Sequence, residues 1–473
     1  MNHGNVALIL HAHHPYVRAA GRSYTGEQSL HELTATSLIP TLATLRDVQE
    51  QGMQPKVALA WSPLLLEQLA DPVVQKHFGF WLDDWRTRLD QIAARCESQG
   101  HDERAYLARF YREWAESVAH SFDVRFNRNL ITPLRQLCEE GVIEPLSSTA
   151  SFAPLNQFAR AETLRAQVEL GALAVARWFG RQPHGFWPPT LDYRVDASEL
   201  LVAAGAQYVV LEPPADNRHP PAPGWLLPHR LALLTRDAGI APYIDDPALA
   251  YSGDPLYRTD QRDADGIAWS RNGLIEDGEP YDPFDAFQRA REHAEHFADV
   301  LAARAASGQL LAVTLDTGLL GMRWFEGPTW LGGLISTIAT HANLALVLPG
   351  SHLRASRPQP MIPQRTTARH TPGEARFSLV RALHGAETRL ATLARHHAEA
   401  DGERERTLQQ AARELVLAHS GDTPQRTTHH LSRCSQLCDI AERPAFTDTD
   451  LTTLETLEEE DNPFAYLNYR MWG

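Results

Sequence analysis

His11 and His13 stand two residues apart at the end of an apolar run, Val6–Leu10. Residues at i and i+2 of a strand share a face, so both imidazoles point to one side. Histidine titrates near neutral pH and serves as acid, base, metal ligand or hydrogen-bond partner. Another apolar run, Leu310–Leu315, ends on Asp316, and a carboxylate is the other common proton-transfer group. Further runs end the same way. Leu231–Leu234 leads to Arg236 and Asp237, Tyr208–Leu211 to Glu212, and Gly185–Trp187 to Pro188, Pro189 and Thr190. A His-x-His pair with a carboxylate fits two chemistries. One is acid–base work or sugar contact. The other is a metal-dependent hydrolase that would hold its ion on His11 and His13, with Asp316 as the one strong further ligand.

These residues need elements to position them. Val57–Trp61 and Val142 with Ile143 are further short apolar runs, and helical patterns such as Glu162–Phe179 and Pro283–Ala306 lie between the runs. Strands that alternate with helices predict an α/β fold with parallel strands. Polar residues at the C-terminal ends of such strands mark a β/α barrel. An open doubly wound sheet is the competing architecture. No GxGxxG opens a helix after a strand, so a dinucleotide has no support. Residues 73–135 break the rhythm with helical stretches around Phe80–Cys96 and Glu103–Ala119. The segments 213–230 and 350–375 read as loops. Beyond them, Glu374–Ala400, Gly402–His419 and Thr427–Glu442 carry apolar residues at helical spacing. The expected division is a barrel over 1–72 and 136–360, a helical insertion over 73–135, and a C-terminal helical domain over 361–473.

Composition narrows the function. The 473 residues carry 44 basic against 59 acidic side chains, a net charge of −15. That acidity argues against nucleic acid and against anionic membrane surfaces. No apolar run approaches the roughly 18 residues of a membrane span, and no signal-peptide pattern opens the chain. A cytoplasmic location is expected, with Cys96, Cys138, Cys434 and Cys438 as reduced, buried thiols. No metal or other cofactor is expected. His396, His397, His429 and His430 fall on predicted helices or loops and are expected in solvent.

Five segments in order resemble one family. They are LHAHHPYVR with His11, His13, Pro15 and Tyr16; FGRQPHGFW before Pro188; YSGDPLYR at Tyr251–Arg258; RWFEGPTWL at Arg323–Leu331; and RELVLAHSGD at Arg413–Asp422. Together they resemble family 57 of the glycoside hydrolases, closest to its α-1,4-glucan branching enzymes. The resemblance implies an incomplete (β/α)7 barrel with a helical insertion and a C-terminal helical domain. It also implies retaining chemistry, in which two carboxyl groups about 5–5.5 Å apart act as nucleophile and acid/base. Asp316 matches the family's acid/base. The family's nucleophile follows a Trp-x-Pro motif, and Thr190 stands at that place after Trp187, Pro188 and Pro189. A threonine hydroxyl is a poor nucleophile without an adjacent base. Substrate-binding positions implied by the match are His11, His13, Tyr16, Trp187, Arg236, Trp324 and Phe325.

Other family positions also differ. Gly318 replaces a Glu, Met322 and Arg323 replace a His-Trp pair, Thr423 replaces a groove Trp, and Thr149–Pro154 lacks the family's histidine. The expectation is a branching-enzyme-like protein without glycosidase activity that binds α-glucan or regulates its metabolism. The alternatives are an active retaining enzyme that recruits Asp192 or Glu212 as nucleophile, and the metal-dependent hydrolase built on His11 and His13.

Overall fold

The computed structural model describes residues 3–18, 24–191, 193–212, 224–226, 230–246, 249–273, 279–305, 310–355, 359–361 and 374–473. The strands are β1 Gly4–Ala12, β2 Val57–Trp61, β3 Ile143–Ser147, β4 Gly185–Phe186, β5 Tyr208–Leu211, β6 Gly224–Leu226, β7 Leu231–Thr235, β8 Leu310–Asp316, β9 Leu344–Leu346 and β10 Gln359–Met361. They order as β10-β6-β7-β5-β4-β3-β2-β1-β8, with β9 beside the start of β1. Among the paired strands described, only β6 and β7 are antiparallel to each other. Seven parallel strands, β8-β1-β2-β3-β4-β5-β7, curve until β7 meets β8. Among the described residues the ladder contact across that seam is one bridge, Arg236 to Ala312, with the Asp237 N–H donating to the Ala312 carbonyl at 3.1 Å. This is the incomplete (β/α)7 barrel.

Both faces of the strands are buried, which is why they read as continuous apolar runs. Ala7 and Ile9, Ala58 and Ala60, Tyr208 and Val210, Ala232 and Leu234, and Leu310 and Ala312 fill the interior. Val6, Leu8, Leu10, Leu59, Leu311 and Val313 face the helices. The alternation carried forward puts His11, Glu212, Arg236 and Asp316 on the inward side at the C-terminal ends. The helix Ala161–Phe179 packs close under this rim. A Cβ on its Gly171 would lie 1.9 Å from the Ser148 carbonyl oxygen, so only glycine permits that approach.

Helices Pro72–Ser98 and Asp102–His120 form a hairpin, joined by Arg86 to Glu116 at 2.7 Å and Arg112 to Asp90 at 3.0 Å. Four helices, Glu374–His396, Gly402–Ser420, Pro424–Ala441 and Asp448–Glu460, build the C-terminal part. Their apolar faces share one cluster with Tyr16, Leu64 and Leu170 of the barrel region. Glu67 fastens this junction. Its Oε1 accepts from Trp178 Nε1 at 2.6 Å and from the Tyr466 hydroxyl at 2.8 Å, and its Oε2 accepts from the Phe464 N–H at 2.7 Å.

Gln68 fixes the loop after β1. Its Oε1 accepts from the Val17 N–H at 3.0 Å, and its Nε2 donates to the carbonyls of His14 and Pro15 at 3.3 and 3.2 Å. His14 is buried there. All four cysteines are free and buried. His430 corrects the expectation of a solvated side chain: it is buried, with Nδ1 2.7 Å from Glu414 Oε2. Helical periodicity located its helix but could not reveal the acidic partner one helix away. Among the described residues no helix is long and apolar enough to cross a membrane.

Two outcomes are expected. Every partner of Glu67 is positioned to donate, so an amide there must face one donor with another. Glu67→Gln will cost about 1–3 kcal/mol, close to the cost of Glu67→Ala, read as a lower urea midpoint; a Gln variant as stable as the parent would exclude the three-donor junction. Burial is the main cause that lowers His14 to about 4, against the opposing pull of the Pro15 carbonyl. The folded state then binds fewer protons than the unfolded one. Stability should be full above about pH 6.5 and fall on acidification towards pH 4, by up to about 1.4 kcal/mol per pH unit for this group. Unfolding followed at several pH values should show a shallower slope in His14→Gln.

Candidate functional site at the strand ends

His11 is the centre of the rim. It pairs in register with Asp316 on β8 and Ala60 on β2. Its ring stacks on Trp187 with centroids 4.7 Å apart and planes 21° apart. Trp187 is itself held by β3, through its N–H to the Ser147 carbonyl at 2.7 Å and the Ser148 hydroxyl to its carbonyl at 2.7 Å. Burial lowers the His11 pKa, and the charges of Asp316 and Asp245 oppose the shift. At neutral pH the ring is a neutral hydrogen-bonding and stacking surface.

His13 sits one step further out. It stacks on Phe152 with centroids 4.4 Å apart, and its Nδ1 lies 2.9 Å from the Ser62 hydroxyl. Ser62 caps the helix Pro63–Ala70 by accepting from the Leu65 N–H. The hydroxyl has one proton and two lone pairs, so either neutral tautomer of His13 can make this contact. Burial pushes His13 down to about 3, so the neutral form holds throughout the ordinary pH range.

Asp316 uses both oxygens. Oδ1 accepts from the Gly318 N–H at 2.9 Å, and Oδ2 pairs with the Arg323 guanidinium. Arg323 is 58% exposed, and exposed pairs of this kind contribute about 0–1 kcal/mol. The pair occupies the carboxylate without locking it. A Cβ at Gly318 would lie 3.2 Å from Asp316 Oδ1, so a larger residue there would crowd the carboxylate.

Thr190 occupies the turn after β4, in the short helix Pro189–Leu191. Its φ is +65° and ψ 2°, and Leu191 follows at φ +56°. The left-handed region is unfavourable for a β-branched residue. Phe152, beside His13, is also left-handed, at φ +60°. Three non-glycine residues in this conformation therefore gather on the ends of β3 and β4. The Thr190 hydroxyl turns back to the Pro189 carbonyl. Asp192 lies outside the described residues.

Across the rim, Arg236 holds Glu212 at 2.7 Å and Asp245 at 2.6 Å. Asp237 turns away, accepts from the N–H groups of Gly239 and Ile240, and pairs with Arg304 at 2.8 Å. The strand ends thus bring together His11, Trp187, Asp316 and Arg236, with His13 and Thr190 on adjoining loops.

Three expected positions lie elsewhere. Tyr16 is buried against the C-terminal helices, its hydroxyl 3.5 Å from the Glu460 carbonyl and its ring edge-on to His430. Trp324 packs on Tyr257 and Trp330 in the core. Phe325 packs on Trp114 beneath the Arg258 guanidinium. Neither aromatic faces the rim, because the chain turns between Leu319 and Trp324 and carries both inward. Glu326 beside them is a buried anchor that accepts from Tyr281 at 2.7 Å and from the Arg258 N–H at 3.1 Å. Thr423 caps the helix Pro424–Ala441.

Sequence reasoning gave no role to Asp245, Phe152 or Ser62. Ser62 directly follows β2, and that strand-end position was the available signal. Asp245 closes a four-residue helix, Pro242–Asp245, too short to show periodicity. Among the described residues, one group of His, Cys, Asp or Glu has ligand atoms mutually close enough for a metal ion. It is His429, His430 and Asp461 in the C-terminal part, and it contains neither His11 nor His13.

Comparison with known proteins agrees with this architecture. Residues 7–365 match the model of glycosyl hydrolase family 57, and residues 382–472 match the C-terminal region of 1,4-alpha-glucan branching enzymes. The chain is 23% identical to the 1,4-alpha-glucan branching enzyme TK1436 of Thermococcus kodakarensis, over 98% of this chain and 77% of that protein. In fold it is similar to the GH57-type branching enzyme of Pyrococcus horikoshii, with a TM-score of 0.88, 24% identity, and 99% and 96% of the two chains covered. It is equally similar to the alpha-amylase AmyC of Thermotoga maritima, with a TM-score of 0.88, 22% identity and 99% of each chain covered. With a family model that matches residues 7–365 of its 473, the chain belongs to glycosyl hydrolase family 57.

Proposed function

We propose that this protein is a branching-enzyme-like member of the family that holds α-glucan at the strand ends without breaking it, as a glucan-binding or regulatory protein. One observation carries the reading: Thr190, with no carboxyl group, occupies the place where the resemblance puts the nucleophile. Loss of the nucleophile from a covalent mechanism costs on the order of 10⁶ in rate. The Arg323 pair on Asp316 is a minor effect by comparison, since an exposed pair is readily broken. The remaining surface suits sugar. Neutral His11 and His13, each stacked on an aromatic ring, offer hydrogen bonds to hydroxyl groups, and Asp316 and Arg236 offer charge-assisted ones. The left-handed residues Phe152, Thr190 and Leu191 support a site reading, because such strain collects where geometry serves a ligand.

A second reading has a specific observation behind it. Arg236 holds two carboxylates at the rim, Asp245 at 2.6 Å and Glu212, the residue after β5, at 2.7 Å. Either would have to leave Arg236 to act as a nucleophile in an active retaining enzyme.

The readings separate in a branching and hydrolysis assay on amylose. The expected result is no change in iodine-complex spectrum or reducing ends above buffer, with malto-oligosaccharide binding retained. Turnover that disappears in Asp316→Ala would overturn the proposal, and its further loss in Asp245→Asn would identify the recruited carboxylate. Thr190→Glu alone should stay at background. A carboxylate placed there faces a rim whose Gly318 and Arg323 have departed from the family pattern, and catalytic geometry tolerates errors of only about 1 Å. Measurable single-turnover hydrolysis by that variant would show the cleft still competent.

A further inference from the structure

Two adjacent histidines of the C-terminal part converge on a buried carboxylate that takes no part in the strand-end site. His429 and His430 lie on the helix Pro424–Ala441, and Asp461 caps the end of the helix Asp448–Glu460. One ligand atom from each of the three lies within 4.8 Å of the other two. The Asp461 side chain is 0% exposed. Its Oδ2 pairs with Arg433 and lies 4.0 Å from His430 Nδ1, so the carboxylate faces that ring. Its Oδ1 is buried with no hydrogen-bond partner among the described residues. Buried polar atoms normally find a partner, and here the nearest groups left to supply one are imidazoles that carry lone pairs of their own. A cation between them satisfies all three.

We propose that His429, His430 and Asp461 bind a divalent transition-metal ion of the zinc class. Two imidazoles with one carboxylate are a nitrogen-rich set, which suits zinc, copper or nickel; magnesium and calcium take oxygen. Bonds of about 2.0–2.2 Å to a tetrahedral ion place its ligands roughly 3.3–3.5 Å apart, so the three atoms close by up to about 1.5 Å on binding. His429 is the exposed member, and a turn of its ring supplies that movement. Its exposure also gives the ion an entry path and leaves room for a water ligand. Burial keeps both rings in the neutral form that a metal needs, and it pushes His430 down to about 4.

The surroundings hold these groups in place. One proton lies between His430 Nδ1 and Glu414 Oε2, which are 2.7 Å apart. A cation at Nδ1 releases that proton to solvent and draws Glu414 in as a fourth ligand; a cation at Nε2 keeps Glu414 as the outer support of the ring. Gln410 Nε2, from the helix Gly402–Ser420, donates to the Leu457 and Asp461 carbonyls at 3.2 and 3.1 Å and so fixes the backbone of Asp461. The charge balance also suits a cation. Glu414, Glu460 and Asp461 face Arg413 and Arg433, and Arg433 divides its contacts between Glu460 and Asp461. Three carboxyl groups against two guanidinium groups leave acidic capacity for the ion. Arg426, on the His430 side, pairs with Asp422 at 2.7 Å. The bound ion would pin the ends of separate helices together, and the assignment is independent of any glucan at the strand ends.

Titration of the full, tag-free chain with zinc chloride against a chromophoric chelator tests it. One ion per chain should bind with a Kd below about 10 μM. His429→Ala removes an exposed side chain, so the fold should stand while the affinity falls about tenfold or more. Zinc should raise the unfolding temperature of the parent, because only the folded chain assembles the ligands, and should leave that of His429→Ala unmoved. Cobalt(II) should give the visible bands of a tetrahedral ion in the parent, lost in His429→Ala. Asp461→Asn should also lose the ion; where that variant folds poorly, His429→Ala carries the test. The other adjacent histidine pair, His396 and His397, has ring centroids 4.8 Å apart, and His396→Ala should leave every readout unchanged. A parent Kd weaker than about 100 μM overturns the site. Binding that survives His429→Ala, or that is lost in His396→Ala, shows an adventitious ion only and overturns it too, as does tighter binding of calcium or magnesium than of zinc.

Discussion

The barrel is closed by a single backbone contact, and the strand-end cluster depends on it. Six of the seven strand junctions are continuous ladders, whereas β7 and β8 meet only where Arg236 bridges Ala312 and Asp237 donates to the same residue. That bridge lies at the start of the rim. It brings the Arg236 side chain, with Glu212 and Asp245 attached, to the same opening as Asp316 and His11. If the seam opened, the two halves of the charge distribution sensed by His11 would separate. Asp237 braces the seam from outside by capping the following turn and pairing with Arg304. Small interior residues, Ala7, Ala58, Ala60, Ala232 and Ala312, let the barrel narrow enough for so slight a closure to hold.

The strands were legible in the sequence because both of their faces are buried. Val57–Trp61 and Tyr208–Leu211 have the same limits in sequence and structure, and an apolar run that stops at a polar residue marks a strand end without knowledge of its neighbours. His11 and Asp316 could be singled out on that ground alone. What could not be read depends on side-chain direction after the strand ends. Trp324 and Phe325 follow Asp316 closely, yet a tight turn sends both into the core. Tyr16 lies three residues beyond His13 and points into another part of the molecule. Asp245 reaches the rim from a helix too short to carry a signal. His430 is drawn inside by Glu414, sixteen residues away and on a different helix.

The distribution of charge at the rim has a simple logic. Among the described residues each carboxylate there has an arginine partner: Asp316 has Arg323, and Glu212 and Asp245 share Arg236. The histidines are kept neutral by burial. Such a rim is well supplied with hydrogen-bonding groups but has little free charge with which to stabilise an oxocarbenium ion. Recognition of hydroxyl groups needs only the former. Stacking and hydrogen bonding at the rim are spread over many residues, whereas a covalent step on any such scaffold rests on one.

Glu67 joins three parts of the chain that are far apart in sequence: the helix after β2, the helix before β4, and the segment around Phe464 and Tyr466. The next residue, Gln68, holds the loop that carries His14 and leads out of the His11–His13 pair. Two adjacent side chains on one short helix thus serve as a mechanical coupling. One faces the loop after β1 and the other the C-terminal helices. Strain applied to either part would be transmitted through a single helical turn rather than through the length of the barrel.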